Sequence, residues 1–149
     1  MSQSKKLLIS LILVSVQFAC LVAFAITGPL IPGNFALLAV QLSGFSLGIW
    51  AVYSMRIGHF NILPQPLSWS RLVTAGPYKY IRHPMYLALL LVTLPLIIDT
   101  SNYFRLGIWL VLLADLLVKL LFEEKLLQDG LDGYDLYIQK SFRLVPFVF

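Results

Sequence analysis

The sequence predicts an all-α integral membrane protein with four transmembrane helices, the last two forming a short helical hairpin, with a cytoplasmic loop and an amphipathic C-terminal segment. Composition is the first reason, because 59% of the 149 residues are hydrophobic and only 12% are charged. Soluble domains average about 45–50% apolar and about 25% charged residues. The apolar residues also form four runs. The basic residues cluster before the first run, between the second and third runs, and after the fourth. The length suits one domain over residues 1–149.

Four apolar runs define the predicted spans, since crossing about 30 Å of hydrocarbon takes about 20 apolar helical residues. The first two runs, 7–26 and 34–55, carry no charge and reach that length. A cleaved signal peptide is the alternative for the first run, but its apolar stretch would be only about 7–15 residues long. The third run, 85–98, is short, at about 21 Å of helix. A polar turn at 99–102 joins it to the fourth run, 106–122.

Basic residues predict the orientation of these spans. They precede the first span, occupy the segment between the second and third spans, and follow the fourth. With four spans these three places lie on one side of the membrane, which the positive-inside rule makes cytoplasmic. Both termini are therefore expected in the cytoplasm, and Arg105 is expected in a loop on the opposite side. The cytoplasmic set consists of Lys5, Lys6, Arg56, Arg71, Lys79, Arg82, Lys125, Lys140 and Arg143.

Two glycines and one cysteine in the first two spans predict how the helices pack and whether a disulfide can form. Gly44 and Gly48 have the spacing that lets a neighbouring helix approach closely, either within the chain or between two chains. Cys20 is the single cysteine, so no internal disulfide and no cysteine metal site can form. No metal site is predicted, and the oligomeric state stays open.

Charged residues in the fourth span are candidates for function, because a charge inside a membrane is costly. Asp115, Lys119 and Glu123 recur at every fourth residue and therefore share one helix face. In the structural alternative, Asp115 and Lys119 neutralise each other and the acidic helix end is merely solvated. Glu123 and Glu124, however, lie side by side at the cytoplasmic end, where a polar cofactor could bind away from water.

The segment 56–84 is longer than the about 12–15 residues usual for an unstructured connection, and such segments are often functional. Pro84 is expected to open the third helix and to keep His83 out of helical geometry. A lone histidine in this position is usually a solvated loop residue. The Arg-His-Pro context instead predicts that His83 is held at the boundary between membrane and cytosol.

Several motifs occur in one order along the second half of the chain. They are Gly-Pro-Tyr at 76–78, Arg-His-Pro-Met-Tyr at 82–86, Glu-Glu at 123–124, Tyr-Asp-Leu-Tyr at 134–137 and Arg-Leu-Val-Pro at 143–146. In these motifs, residues 63–146 closely resemble the isoprenylcysteine carboxyl methyltransferase family, which is related to the membrane phospholipid N-methyltransferases. The resemblance implies a membrane methyltransferase that uses S-adenosyl-L-methionine from the cytoplasm. Its expected partners are membrane lipids and a lipid-like or hydrophobic acceptor, not nucleic acid.

The resemblance also implies roles for individual positions. Lys119 and Arg143 are expected to bind the acceptor, although lysine lacks the bidentate grip on a carboxylate that the prenylcysteine enzymes obtain from arginine. Arg82 is expected to orient the acceptor head, and Glu124 is a candidate general base if the acceptor is an amine. The implied cofactor-binding residues are Gln65, Leu72, Val73, Tyr78, His83, Pro84, Met85, Tyr86 and Glu123.

Alternatives remain for the tail and for the function. The tail, residues 134–149, mixes apolar side chains with Lys140 and Arg143, which favours an interfacial amphipathic stretch; otherwise it folds over the site as a lid. A membrane NADPH-dependent reductase is a second functional class, although it would prefer basic residues for the cofactor phosphates. A non-catalytic membrane assembly subunit is the third. The acceptor, and whether it is methylated on oxygen, nitrogen or sulfur, stays open.

Overall fold

The computed structural model describes residues 3–55, 72–130 and 133–146. Helices make up 79% of these residues, and no strand occurs among them, so the all-α class is confirmed for this part of the chain. A 3₁₀ helix, Gly76–Lys79, precedes the third long helix. The α-helices are α1 (Gln3–Ile26), α2 (Phe35–Met55), α3 (Pro84–Thr100), α4 (Tyr103–Gly130) and the short α5 (Tyr134–Ile138).

Two side chains define the start of α2. Asn34 Oδ1 accepts hydrogen bonds from the backbone N–H groups of Ala36 and Leu37, at 2.8 and 3.3 Å. Asp99 Oδ2, near the end of α3, accepts a hydrogen bond from the Gly33 N–H at 3.0 Å. The first N–H groups of a helix lack intrahelical acceptors, and the Asn34 oxygen satisfies two of them. The start of α2 is thereby tied to the end of α3.

The predicted hairpin of α3 and α4 is present, but its turn is tighter than the expected polar turn at 99–102. Because α3 continues to Thr100 and α4 begins at Tyr103, only Ser101 and Asn102 remain outside the helices. Ser101 adopts φ 47° and ends α3 in the left-handed conformation. Asn102 Oδ1 accepts a hydrogen bond at 2.9 Å from the N–H two residues later, which starts α4 at once.

The long helices pack as two pairs, α2 with α3 and α1 with α4, and α3 and α4 join the pairs. A Cβ added at Gly44 would lie 2.9 Å from Leu91 Cβ and 3.0 Å from the Val92 backbone nitrogen, closer than real side chains approach. At Gly48 the same atom would lie 3.5 Å from Ala88 Cβ, an ordinary contact. The Gly44–Gly48 spacing is therefore used within the chain, where it lets α2 approach α3.

Gly44→Ala is expected to lower the free energy of unfolding by about 1–3 kcal/mol, because the added methyl forces α2 away from α3. Gly48→Ala is the matched control, since its methyl has room and alanine favours the helix. Thermal unfolding of both variants in one detergent measures the difference. Equal midpoints for the two variants would contradict the close contact at Gly44.

Arg105 corrects one sequence expectation, because it lies inside α4 and is fully buried instead of belonging to a loop. Its guanidinium donates hydrogen bonds to the carbonyl oxygens of Phe24 and Leu96, each at 3.3 Å, and of Pro29 at 2.9 Å. Phe24 and Leu96 lie near the C-terminal ends of α1 and α3, where the helix dipole favours a cation. Arg105 therefore joins three segments at the end of the bundle remote from the 3₁₀ helix.

Two helices, α1 and α2, are long and apolar enough to cross a membrane. Only 22% and 17% of their most apolar windows are buried inside the protein, so they are not the core helices of a soluble fold. Large side chains such as Phe18, Phe45 and Ile49 are exposed on their outer faces, as contact with lipid requires. These faces support a membrane protein. Membrane crossing by the shorter α3 and by α4 stays a prediction.

Candidate active site

A close approach of backbone to α2 shapes the segment that precedes α3. Gly76 adopts φ +59°, and a Cβ there would clash with the Ser54 side chain and lie 3.1 Å from Trp50 Nε1. Only glycine fits this position, so the 3₁₀ helix packs directly against the end of α2. Pro84 then opens α3, and His83 is its N-cap with φ −123° and ψ 58°. The non-helical geometry expected for His83 is present.

His83 lies between the two glutamates that the hairpin brings back to it. Its Nδ1 is 3.5 Å from Glu123 Oε2, and its Nε2 is 3.7 Å from Glu124 Oε1. The imidazole is buried and stacks on the Tyr86 ring, with 5.3 Å between ring centroids and 10° between the planes. The start of α3 and the end of α4 therefore contribute to one cluster.

The neighbouring carboxylates determine the charge of His83. Burial by itself lowers the pKa of the imidazole, but hydrogen bonds and charge from Glu123 and Glu124 outweigh it, so the pKa of His83 is raised above its usual 6.5. A protonated imidazole donates from both nitrogens. Within the described ranges, Nε2 makes no hydrogen bond within 3.5 Å, and its contact with Glu124 Oε1 is long, at 3.7 Å. The hydrogen-bonding capacity of Nε2 is therefore not fully used.

The Glu124 carboxylate is held by two arginines. Arg82 Nε donates to Oε1 at 2.7 Å, and Arg143 Nε donates to Oε2 at 2.9 Å. Burial raises the pKa of Glu124, but hydrogen bonds from His83, Arg82 and Arg143 lower it more, to about 2. Because this pKa lies below the ordinary 4.5, the cluster contributes stability above about pH 4.5 and loses it as the pH falls toward 2. So acidic a carboxylate does not favour the general-base role predicted for Glu124.

Arg82 also attaches the tail to the site. Its Nη1 donates to the Ile138 carbonyl at 3.1 Å, to the Ser141 carbonyl and to Ser141 Oγ at 3.3 Å. The backbone N–H of Arg82 donates to the Phe142 carbonyl at 2.7 Å, and the Phe142 N–H donates to the Tyr80 carbonyl at 2.9 Å. The tail therefore runs beside the Arg-His-Pro segment through side-chain and backbone hydrogen bonds.

Burial of the tail favours the second arrangement predicted for it, a segment folded over the site, over an interfacial helix. Only α5 is helical, and exposed apolar side chains such as Leu136 are the minority. The Tyr137 hydroxyl donates to the Tyr78 carbonyl at 2.5 Å, and the sequence analysis did not identify this contact. The buried residues of the tail are Tyr134, Tyr137, Ser141 and Leu144.

Lys119 lies one helical turn deeper than Glu123 and is buried. Its Nζ donates to Gln17 Oε1 of α1 at 2.9 Å and lies 5.3 Å from the centroid of the Tyr86 ring. The structural alternative expected Asp115 and Lys119 to pair directly. Among the described residues, they form no ion pair. Gln17 is not among the predicted site residues. The sequence feature that could have identified it is a polar amide side chain inside an apolar span.

The remaining predicted cofactor positions lie around this cluster or outside it. Tyr78 is buried in the 3₁₀ helix, its hydroxyl is 3.9 Å from Met55 Sδ, and burial raises its pKa. Gln65 lies outside the described residues, so its predicted role stays a prediction. The others are the half-buried Leu72 and Val73 before the 3₁₀ helix, and Pro84 and Met85 in the first turn of α3.

Chemically, the cluster combines a hydrogen-bond acceptor, a donor and two aromatic faces. Glu123 is half-buried, with 18% of its side chain exposed, and it is not held by an arginine in the described part of the chain. Its oxygens can therefore accept hydrogen bonds from a ligand, while His83 Nε2 can donate one. No set of three or more metal-ligating side chains is arranged for an ion within residues 3–55, 72–130 and 133–146. The cluster suits a polar organic ligand.

Comparison with known proteins gives one match. The family model described as phospholipid methyltransferase matches residues 35–131, which include α2, the Arg-His-Pro segment, α3 and α4. No curated protein and no solved structure gives a significant match. The match is to the related phospholipid enzymes, and the likeness to the isoprenylcysteine family stays a prediction.

Proposed function

The chain belongs to the phospholipid methyltransferase family, and from this premise we propose that it is an integral-membrane methyltransferase. It transfers a methyl group from S-adenosyl-L-methionine to a lipid-like acceptor. The observation that carries the proposal is the approach of His83 Nδ1 to Glu123 Oε2, at 3.5 Å, beside the Tyr86 ring. These three residues come from two different helices and all lie within the matched region.

The side chains of the cluster fit this cofactor. S-adenosyl-L-methionine carries hydroxyl and amino donors, a carboxylate and a sulfonium cation. Glu123 can accept from a hydroxyl or amino group, and His83 Nε2, which makes only a long 3.7 Å contact with Glu124 Oε1 among the described residues, can donate to the carboxylate. Tyr78 and Tyr86 supply aromatic rings beside the cluster, and an aromatic ring suits a flat base or a cation. When bound, the cofactor would supply an electrophilic methyl carbon on its sulfonium; the acceptor's nucleophilic atom would bond to that carbon in line as the carbon–sulfur bond breaks, and S-adenosylhomocysteine would leave as the neutral thioether.

The protein contributes mainly positioning, which can supply about 7–11 kcal/mol of a reaction barrier. The N-cap geometry of His83 and its stacking on Tyr86 hold the imidazole rigidly. Arg82 and Glu124 were predicted as catalytic, but the hydrogen bond that Arg82 donates to Glu124 supports a positioning role, in which they hold His83 and the tail. Lys119 and Arg143 stay proposed contacts for the acceptor head.

Membrane topology forms part of the same proposal. Four crossings with both termini in the cytoplasm put the His83 cluster at the inner boundary of the membrane, where a water-soluble cofactor can enter. The distribution of basic residues supports this orientation. The short α3 supports it too, since its 17 residues reach only about 25 Å. A crossing helix of this length would begin below one membrane surface, so its first turn would lie inside the bilayer.

Ligand-dependent unfolding tests the proposal against its two alternatives. We expect S-adenosylhomocysteine to stabilise the folded protein by about 2.7 kcal/mol when its concentration is a hundred times Kd. This stabilisation is measured as a rise in the unfolding temperature of the purified protein. NADPH should have no effect. Incubation with radiolabelled S-adenosylmethionine and lipid extracts, followed by mass detection, should give a methylated lipid. Stabilisation by NADPH alone would indicate the reductase, and stabilisation by neither ligand with no product would indicate a non-catalytic subunit.

A further inference from the structure

An open, almost wholly apolar groove of about 500 Å³ lies between α1 and α4. Small residues form its floor, among them Ala19 and Ala23 of α1 and Gly107 of α4. Both helices expose large apolar side chains beside it, including Val22 and Leu110. An apolar groove on a lipid-facing surface accommodates a hydrocarbon chain better than it accommodates water.

A buried carboxylate lies one helical turn from the groove. Val111 lines the groove, and Asp115 follows one turn later on α4. Asp115 is only 7% exposed, and its Oδ2 has no hydrogen-bond partner in the described part of the chain.

A buried carboxylate oxygen without a partner costs free energy. The neighbouring cation does not satisfy it: Lys119 donates to Gln17, and among the described residues no hydrogen bond from Lys119 reaches Asp115 Oδ2. A ligand that brings its own hydrogen-bond donor would satisfy this oxygen, whereas an anionic head without donors would be repelled. Asp115, Lys119 and Glu123 share one face of α4, so the carboxylate lies on the same face as the proposed cofactor contacts.

We propose that the groove between α1 and α4 binds a hydrocarbon chain of the methyl acceptor, and that Asp115 Oδ2 binds the acceptor head through a hydrogen-bond donor on it. An ammonium and a hydroxyl share this chemistry. Only the identification of the bound lipid as the methyl acceptor rests on the proposed function, because binding of the chain and of the head can be measured without methyl transfer. It adds a site on α1, outside the matched residues 35–131.

Photo-crosslinking in nanodiscs tests both parts. Three probes carry the same diazirine-bearing acyl chain on different heads: phosphatidylethanolamine (ammonium), phosphatidylglycerol (hydroxyl) and phosphatidic acid (no ammonium or alcohol donor). We expect at least one of the first two to label residues 16–23 and 103–111 of the wild-type protein about tenfold more than phosphatidic acid does, the effect of one hydrogen bond to a charged group. The stronger of the two identifies the donor.

Two variants separate the chain site from the head contact. A Cβ at Gly107 would meet no described atom within 4 Å, so Gly107→Leu fills the groove without a backbone clash, and Gly107→Ala is its control. Gly107→Leu should abolish labelling, and Gly107→Ala should preserve it. Asp115→Asn keeps the shape but should reduce the preference for a donor head about tenfold. Thermal unfolding checks that each variant is folded.

Labelling that persists in Gly107→Leu would overturn the chain site, and equal labelling by all three probes in the wild type would overturn the contact with Asp115. S-adenosylhomocysteine stabilisation, measured on the same samples, distinguishes these failures from failure of the proposed function. Groove labelling without such stabilisation would leave a lipid site in a protein that is not a methyltransferase. Stabilisation without groove labelling would leave a methyltransferase whose acceptor enters elsewhere.

Discussion

Glu123→Gln and His83→Ala are each expected to weaken S-adenosylhomocysteine binding about 10-fold to 100-fold, as measured by calorimetry. A hydrogen bond to a charged group contributes about 1.5–3 kcal/mol, which corresponds to this range. Glu123→Gln removes the charged acceptor and keeps its size. His83→Ala removes the imidazole from between the two carboxylates, so Glu123 loses its ion-pair partner, while Glu124 keeps Arg82 and Arg143.

The control for this experiment lies on the same helix. Asp129 is exposed near the end of α4, so Asp129→Asn removes one carboxylate charge without touching the cluster and should leave the affinity unchanged. Wild-type affinity in both the Glu123 and His83 variants would remove these residues from the cofactor site. A loss of affinity in Asp129→Asn as large as in Glu123→Gln would attribute the effect to net charge alone.

Arg82→Gln is expected to lower the free energy of unfolding by about 3–5 kcal/mol and to release the tail. Removing one partner of a buried ion pair is strongly destabilising, and Glu124 would keep only Arg143 and the more distant His83. The same change deletes the hydrogen bonds to Ile138 and Ser141. Thermal unfolding measures the stability, and limited proteolysis between residues 133 and 146 measures the release of the tail.

Lys140→Gln is the matched control, because it removes the same charge from an exposed position on the tail. It should change neither stability nor proteolysis. Equal protection of the tail in the two variants would show that Arg82 does not hold it. If Arg82 instead acted on the acceptor head, the role expected for it from the sequence, Arg82→Gln would lower turnover while the tail stayed protected.

Much of the site followed from local sequence features. Pro84 at the start of α3 placed His83 outside helical geometry, and the structure has it there. The spacing of Glu123 from Lys119 placed both on one face of α4. These predictions held because proline chemistry and helix periodicity act over a few residues. The expected turn at 99–102 was too long, because Asp99 is bound to the start of α2 and the sequence does not display that contact.

Composition and periodicity alone determined the helical class, the apolar faces and the identity of the charged residues near the site. The tertiary structure decided their partners: Lys119 donates to Gln17 instead of pairing with Asp115, Arg105 joins three chain segments, and the tail folds onto Arg82. The physical reason is that a buried polar group takes whichever partner the packing of distant segments brings within about 3 Å. Spacing along one helix cannot specify that choice, because the competing partners lie on other helices.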